Sequence, residues 1–164
     1  MIIHKEMDLF EAPKGSILVH SVNCRGIWGA GIAKTFAEKC PHAYLKYLYL
    51  CKNWKEDALI GLSSLHHDNV SGFDVGCLFT SRGYGRDKDS VEEILINTKE
   101  AIIDFMNEFD IYKGFSVSSS NRVTIYCNKF NSGLFGVRWA LTETLLEEIL
   151  ENYPHFDWIV CSPK

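Results

Sequence analysis

Ser16-Ile17-Leu18-Val19-His20-Ser21-Val22-Asn23-Cys24-Arg25-Gly26-Ile27-Trp28-Gly29-Ala30-Gly31-Ile32-Ala33 passes from an apolar run, through a glycine-rich turn, into a helix-forming segment. A short apolar run bounded by turn residues reads as a buried strand. The segment from Gly31 to Lys39 reads as a helix, stopped at Cys40-Pro41. Such a turn lets backbone N–H groups approach a phosphate closely, and the helix N-terminus adds partial positive charge. The arrangement recurs downstream. Val123, Ile125 and Cys127 alternate with Thr124 and Tyr126 as a strand, and Asn131-Ser132-Gly133-Leu134-Phe135-Gly136-Val137 forms a second glycine turn. Val137 to Glu151 then reads as a helix with Leu141, Leu145 and Ile149 on its apolar face. Two such loops in one small domain point to a ligand with phosphates in its middle, gripped from both sides.

The remaining chain fits the same alternation. Pro41 suits the first turn of a helix that carries Tyr44, Tyr47, Leu48 and Cys51 on one face. Ala58 to Leu65 and Phe73 to Thr80 read as strands, with His66-His67-Asp68-Asn69 as the turn between them. Ser90 and Glu93 have the spacing of a capping box. They open a helix with Ile94, Thr98, Ala101, Ile102, Phe105 and Phe109 at helical intervals. Gly114 to Ser120 reads as a flexible connection, and Phe156 to Cys161 as a last strand. Alternating strands and helices imply an α/β sheet with crossover helices. Ligands of such sheets bind beyond the carboxyl ends of the strands, where both glycine loops would lie.

The 164 residues suit one domain with a single sizeable core. A formal net charge of −4 opposes a nucleic-acid-coating role, which needs clustered Lys and Arg. No stretch approaches the roughly 18 apolar residues of a membrane span. The opening Met1-Ile2-Ile3-His4-Lys5-Glu6 lacks the apolar stretch of a signal peptide. The six cysteines are widely spaced with no C-x-x-C pair, so they read as reduced residues of a cytoplasmic or nuclear protein. His66-His67-Asp68 lacks helical i, i+4 spacing and a partner cluster, and no metal site is expected. Cys24, with no nucleophile motif around it, reads as a bystander.

Neither common phosphate motif fits. After Gly29-Ala30-Gly31 the dinucleotide fingerprint needs a glycine where Lys34 stands, and Lys34-Thr35 comes two residues late for a P-loop. The two loops instead resemble those of the macrodomains, which bind ADP-ribose. Asn23 followed by Trp28-Gly29-Ala30-Gly31 has the family's first-loop spacing, with Trp28 where a histidine is usual and Ala30 for the middle glycine. Asn131 to Gly136 is similar to the second loop, and Asp8 matches the acid that accepts a hydrogen bond from the adenine amino group. His20-Ser21-x-Asn23-Cys24, Trp28 to Ala33, Cys77 to Ser81 and Asn131 to Trp139 most resemble the fungal ADP-ribose 1''-phosphate phosphatases. The related terminal ADP-ribose protein glycohydrolases use a lysine just after the strand ending at Thr80-Ser81 and an aspartate where Phe135 stands; both are missing here.

The resemblance implies a single three-layer α-β-α domain over 1–164 with a central mixed, largely parallel sheet. It implies hydrolysis of ADP-ribose 1''-phosphate, a by-product of tRNA splicing, by a monomer without a cofactor. A non-enzymatic ADP-ribose-binding module and a hydrolase removing ADP-ribose from modified macromolecules are the alternatives. Backbone amides of Gly29, Ala30, Gly31 and Ile32 and of Ser132, Gly133, Leu134 and Phe135 would hold the phosphates. Leu9, Ser21, Thr80, Asn131 and Gly136 join Asp8 among the expected substrate contacts. Phe135, between glycines, would pack against a ribose. Asn23 is the candidate to position the attacking water, although an asparagine there also suits a turn. His20 is either a core histidine or, if it faces the pocket, a general base or acid. Trp28 is either a pocket wall or a packing residue.

Overall fold

In the computed structural model, which describes residues 1–113 and 122–164, six strands form one sheet among the described residues. They are β1 (Ile2–Glu6), β2 (Ile17–Asn23), β3 (Ser63–His67), β4 (Asp74–Ser81), β5 (Val123–Cys127) and β6 (Phe156–Ser162). Their order is β1-β6-β5-β2-β4-β3, parallel throughout except for the antiparallel β3–β4 pair. The helices are α1 (Gly31–Lys39), α2 (Pro41–Asn53), α3 (Glu56–Leu59), α4 (Val91–Lys113) and α5 (Trp139–Leu150). The expected α-β-α layering with a mixed, largely parallel sheet is therefore the one found.

Period-2 alternation on the central strands distributes the core. Ile17 and Val19 of β2 join Ile125, Trp158 and the α4 residues Ala101, Ile102, Phe105 and Met106 on one face. Leu18 and Val22 join Phe79, Ile159 and the α1 and α2 residues Phe36 and Tyr47 on the other. The Ser90 capping box forms: Ser90 Oγ accepts from the Glu93 N–H at 3.1 Å, and the Ser90 N–H points to Glu93 Oε1 at 3.4 Å. α2 has Pro41 at its start and no side-chain cap from Cys40. Asp68 supplies one from a distance: its Oδ1 accepts from the N–H groups of His42 (2.7 Å) and Ala43 (3.1 Å), and its Oδ2 from Ser71 N–H and Oγ.

Three local expectations change, and one strand is new. Residues 58–65 are not one strand, because Ala58 and Leu59 belong to α3 and pairing with β4 starts at Ser63. His66 and His67 lie on β3, and His67 Nδ1 meets Asp74 Oδ1 at 2.7 Å, so the turn begins at Asp68. The new strand is β1, an element the sequence reading did not include, which pairs with β6. On α5 the buried face is Thr142, Leu146, Ile149 and Leu150, and Leu141 is exposed. The connection expected over 114–120 lies outside the described residues.

Candidate active site

Loop 1 (residues 24–30) follows β2 and loop 2 (residues 128–138) follows β5, and these strands are neighbours in the sheet. Both loops therefore leave the same carboxyl edge. Asn23, at the end of β2, builds loop 1 from within. Its Oδ1 accepts from the N–H groups of Arg25 (2.8 Å) and Ile27 (3.4 Å), and its Nδ2 donates to Ile27 O at 2.8 Å. The Tyr47 hydroxyl donates to Asn23 O at 2.7 Å, and the Cys24 N–H to Arg82 O at 3.1 Å. Trp28 is buried beneath the loop, stacked on Tyr47 and Tyr44 at centroid distances of 4.6 and 5.1 Å. Pulling Trp28 inward leaves Gly29, Ala30 and Gly31 exposed. α1 begins there with no side-chain cap and no acid in its first turn. The first N–H groups of a helix have no internal acceptor, so this end presents bare donors and the positive end of the helix dipole.

Loop 2 hangs from Asn131, which adopts φ 67°, a left-handed conformation that asparagine tolerates better than most side chains. Three elements hold it there. Its N–H donates to Ser21 Oγ of β2 at 3.0 Å, its Oδ1 accepts from Thr80 Oγ1 of β4 at 2.9 Å, and its Nδ2 donates to Thr98 Oγ1 of α4 at 2.8 Å. The Val137 and Gly136 N–H groups close the loop onto Asn131 O and Gly133 O at 2.9 and 3.0 Å. The N–H groups of Gly133, Leu134 and Phe135 have no acceptor among the described residues. Leu134 Cδ1 lies 3.7 Å from where a Cβ on Gly31 would project, so loop 2 comes within contact range of the start of α1.

Two further segments follow β1 and β4 and so leave the same carboxyl edge of the sheet. Asp8 caps the Leu9–Glu11 turn through Oδ1, which accepts from the Phe10 N–H at 2.9 Å, and the residue is otherwise exposed. The segment from Arg82 to Ser90 is tied to loop 1 and α3 by ion pairs. Arg25 meets Glu56 at 2.7 Å and Asp87 at 3.1 Å, and Arg82 meets Asp57 at 3.2 Å and Asp89 at 3.4 Å.

Several similar proteins carry the same name. The ADP-ribose 1''-phosphate phosphatase of Aspergillus clavatus is 34% identical over 180 aligned positions, covering 90% of this chain and 89% of that protein. Those of Debaryomyces hansenii and Candida albicans are 35% and 34% identical, covering 81% and 90% of this chain and 82% and 93% of theirs. Among solved structures, the macrodomain of Mycobacterium tuberculosis DarG superposes with a TM-score of 0.78 at 21% identity, covering 100% of this chain and 99% of that one. The chain belongs to the macrodomain family. The Thermus aquaticus DarG macrodomain shares the fold at a TM-score of 0.75 and 20% identity, covering 99% of both chains. No family model matches the sequence.

Within this macrodomain the expected site residues divide into surface and support. Asp8, Gly29, Ala30, Gly31, Ser132, Gly133, Leu134 and Gly136 are exposed, and Ile32 and Phe135 half-buried. Leu9 is buried, and its N–H has no acceptor among the described residues. Thr80 and Asn131 were expected as substrate contacts, but both are buried and their side chains are engaged with each other and with Thr98. Together with Ser21 Oγ they hold loop 2 from below. Trp28 is likewise a packing residue and not a wall of the pocket. His20 is fully buried with its ring stacked on Phe36 at 3.9 Å and edge-on to Trp28 at 4.7 Å. Burial holds the imidazole neutral, with its pKa lowered to about 3. The condition for acid–base work, that His20 face the pocket, is not met. Its parity on β2 carries the signal: His20 alternates in phase with Leu18 and Val22, which face α1 and α2. Burial also pushes the Cys24 thiol up to about 12, leaving it protonated at neutral pH. Tyr47, whose hydroxyl secures Asn23, was legible in the sequence only as a helix-face aromatic.

Proposed function

We propose that the chain hydrolyses ADP-ribose 1''-phosphate to ADP-ribose and inorganic phosphate. The observation that carries this reading is the pair of adjacent loops, on neighbouring strands, whose N–H groups lack acceptors among the described residues. The relatives bearing that activity's name, 31–35% identical over at least 81% of the chain, support it. The exposed Asp8 carboxylate would accept a hydrogen bond from the adenine amino group, with the free Leu9 N–H beside it. The amides at the start of α1 and those of Gly133 to Phe135 would hold the diphosphate, and Phe135 would pack against the distal ribose. Water attacks phosphorus, the bond from phosphorus to the anomeric oxygen breaks, and that oxygen takes up a proton to become the hydroxyl of ADP-ribose. Fixed N–H dipoles stabilise charge developing on the transferred group without having to reorganise.

Asn23 is our candidate for orienting the water. Its Oδ1 is occupied by loop 1, so the second Nδ2 proton is the group left for this role. The test is release of inorganic phosphate from ADP-ribose 1''-phosphate, with calorimetric ADP-ribose binding on the same sample. Asn23→Ala should abolish release and also weaken ADP-ribose binding, because the side chain builds the loop. Undiminished release would remove Asn23 from the mechanism. A non-enzymatic binding module is the second reading, favoured by the burial of His20; ADP-ribose binding without any phosphate release from the wild-type protein would establish it. We place the protein in the cytoplasm or nucleus, a reading supported by its free cysteines. Among the described residues no helix is long and apolar enough to cross a membrane.

A further inference from the structure

We propose that Lys88 is the specificity-determining residue that separates the phosphomonoester from ADP-ribose itself, placing its ammonium group on the terminal phosphate at the outer lip of loop 2. This rests on the phosphatase reading above. The two cradles are built from dipoles and carry no formal charge, which suits a diphosphate common to substrate and product. The substrate's additional group is a phosphate monoester bearing up to two more negative charges. A site that must prefer it needs a cation beyond the cradles. Arg25 and Arg82 are each engaged by two carboxylates. Lys88 has no carboxylate partner among the described residues, and the one hydrogen bond of its ammonium is a long 3.4 Å contact to Gly85 O in its own turn.

Its position is specific. Lys88 Cε stands 3.9 Å from the point where a Cβ on Gly136 would project, and Gly136 closes loop 2 next to the free Phe135 N–H. The backbone on either side is pinned. The Lys88 N–H bonds Gly85 O at 3.3 Å, and the Asp89 N–H bonds Ser81 Oγ at 3.0 Å. Asp89 Oδ2 accepts from the Arg82 N–H at 3.0 Å and from Asn97 Nδ2 at 3.3 Å, so this neighbouring carboxylate is already satisfied. The lysine stem thus starts from a fixed point beside loop 2 while its charged end stays exposed. Lysine binds phosphate as a point charge that needs no planar partner.

The experiment compares wild type with Lys88→Ala, Lys88→Arg and Arg86→Ala. KM and kcat are measured for phosphate release from ADP-ribose 1''-phosphate, and Kd for ADP-ribose by calorimetry. Lys88→Ala should raise KM about tenfold, the worth of one charge-assisted contact, while ADP-ribose Kd stays within about twofold. Lys88→Arg should recover most of the loss. Equal weakening of both ligands, or an equal effect from Arg86→Ala, which removes the same charge two residues away, would overturn the assignment. If the wild-type protein releases no phosphate, the phosphatase reading fails and the intact ester can be titrated directly. A preference for the ester over ADP-ribose that disappears in Lys88→Ala would still uphold the lysine's role, and no such preference would refute it.

Discussion

His20 carries a cost that only low pH reveals. Its folded pKa is depressed to about 3 from 6.5, because burial disfavours the charged ring. The unfolded chain therefore binds a proton as pH falls through 6.5, while the folded protein does not until about 3. Stability is highest above pH 6.5, declines through the interval between these values, and loses no more to this group below about 3; the total is a few kcal/mol. His66, lowered to about 4 by burial and by Lys46, adds to the same limb. His20→Phe keeps a ring against Phe36 and Trp28 and removes the titrating group. Urea unfolding between pH 4 and 8 should then show a shallower acid decline than wild type; parallel curves would mean the imidazole is not the buried neutral group described. His20→Ala would instead leave a void beneath Trp28 and loop 1, so lost activity in that variant would not identify a proton-transfer group. The sequence exposed the cradles because glycine spacing is itself the backbone chemistry. It hid the support beneath them, because Ser21, Thr80 and Asn131 meet only when β2, β4 and β5 pair.

The same separation of partners governs α2. Cys40 gives that helix no side-chain cap, and Asp68, some 25 residues away in sequence, accepts from its first free N–H groups. Burial by itself would raise the carboxyl pKa, but hydrogen bonds from Ser71, Ala43 and His42 outweigh it and hold it below the usual 3.8. This contribution is present above pH 3.8 and is lost as pH falls through the lower folded value. Asp68→Asn keeps the shape but turns an amide N–H toward donors, and should cost about 2–3 kcal/mol at pH 7. Chemical denaturation checks it, and a change within error would show the turn finds another acceptor. Other elements divide by their burial. β2, β5, β6 and α4 were readable because both their periodicity and their core faces are complete. β1 was not read, and β3 was read with its bounds shifted toward Ala58: these edge strands are half-exposed and lack a buried apolar run. On α5 a buried Thr142 interrupts the apolar series, so the exposed Leu141 stood in for it and rotated the expected face.

Taken across the molecule, charge argues against the ligand that the loops invite. The chain carries a net −4, and a diphosphate approaching it meets long-range repulsion, although its final contacts are uncharged N–H groups. Added salt acts on these two terms in opposite directions. It relieves the repulsion over distances beyond the Debye length, and it weakens the pull of the α1 dipole. Direct hydrogen bonds in the cradles are too short-ranged to be screened. A protein holding phosphates with lysines and arginines would lose affinity steeply, with a slope set by the number of charges neutralised. Here ADP-ribose Kd, measured by calorimetry from 50 to 500 mM salt, should change by less than about threefold. Binding of the 1''-phosphate ester should weaken more over the same range, since it alone engages the Lys88 ammonium. A tenfold loss for ADP-ribose itself would place formal charges on the diphosphate and remove the dipolar cradles as its principal hold. Equal and small slopes for both ligands would leave the cradles intact and take the terminal phosphate away from the lysine.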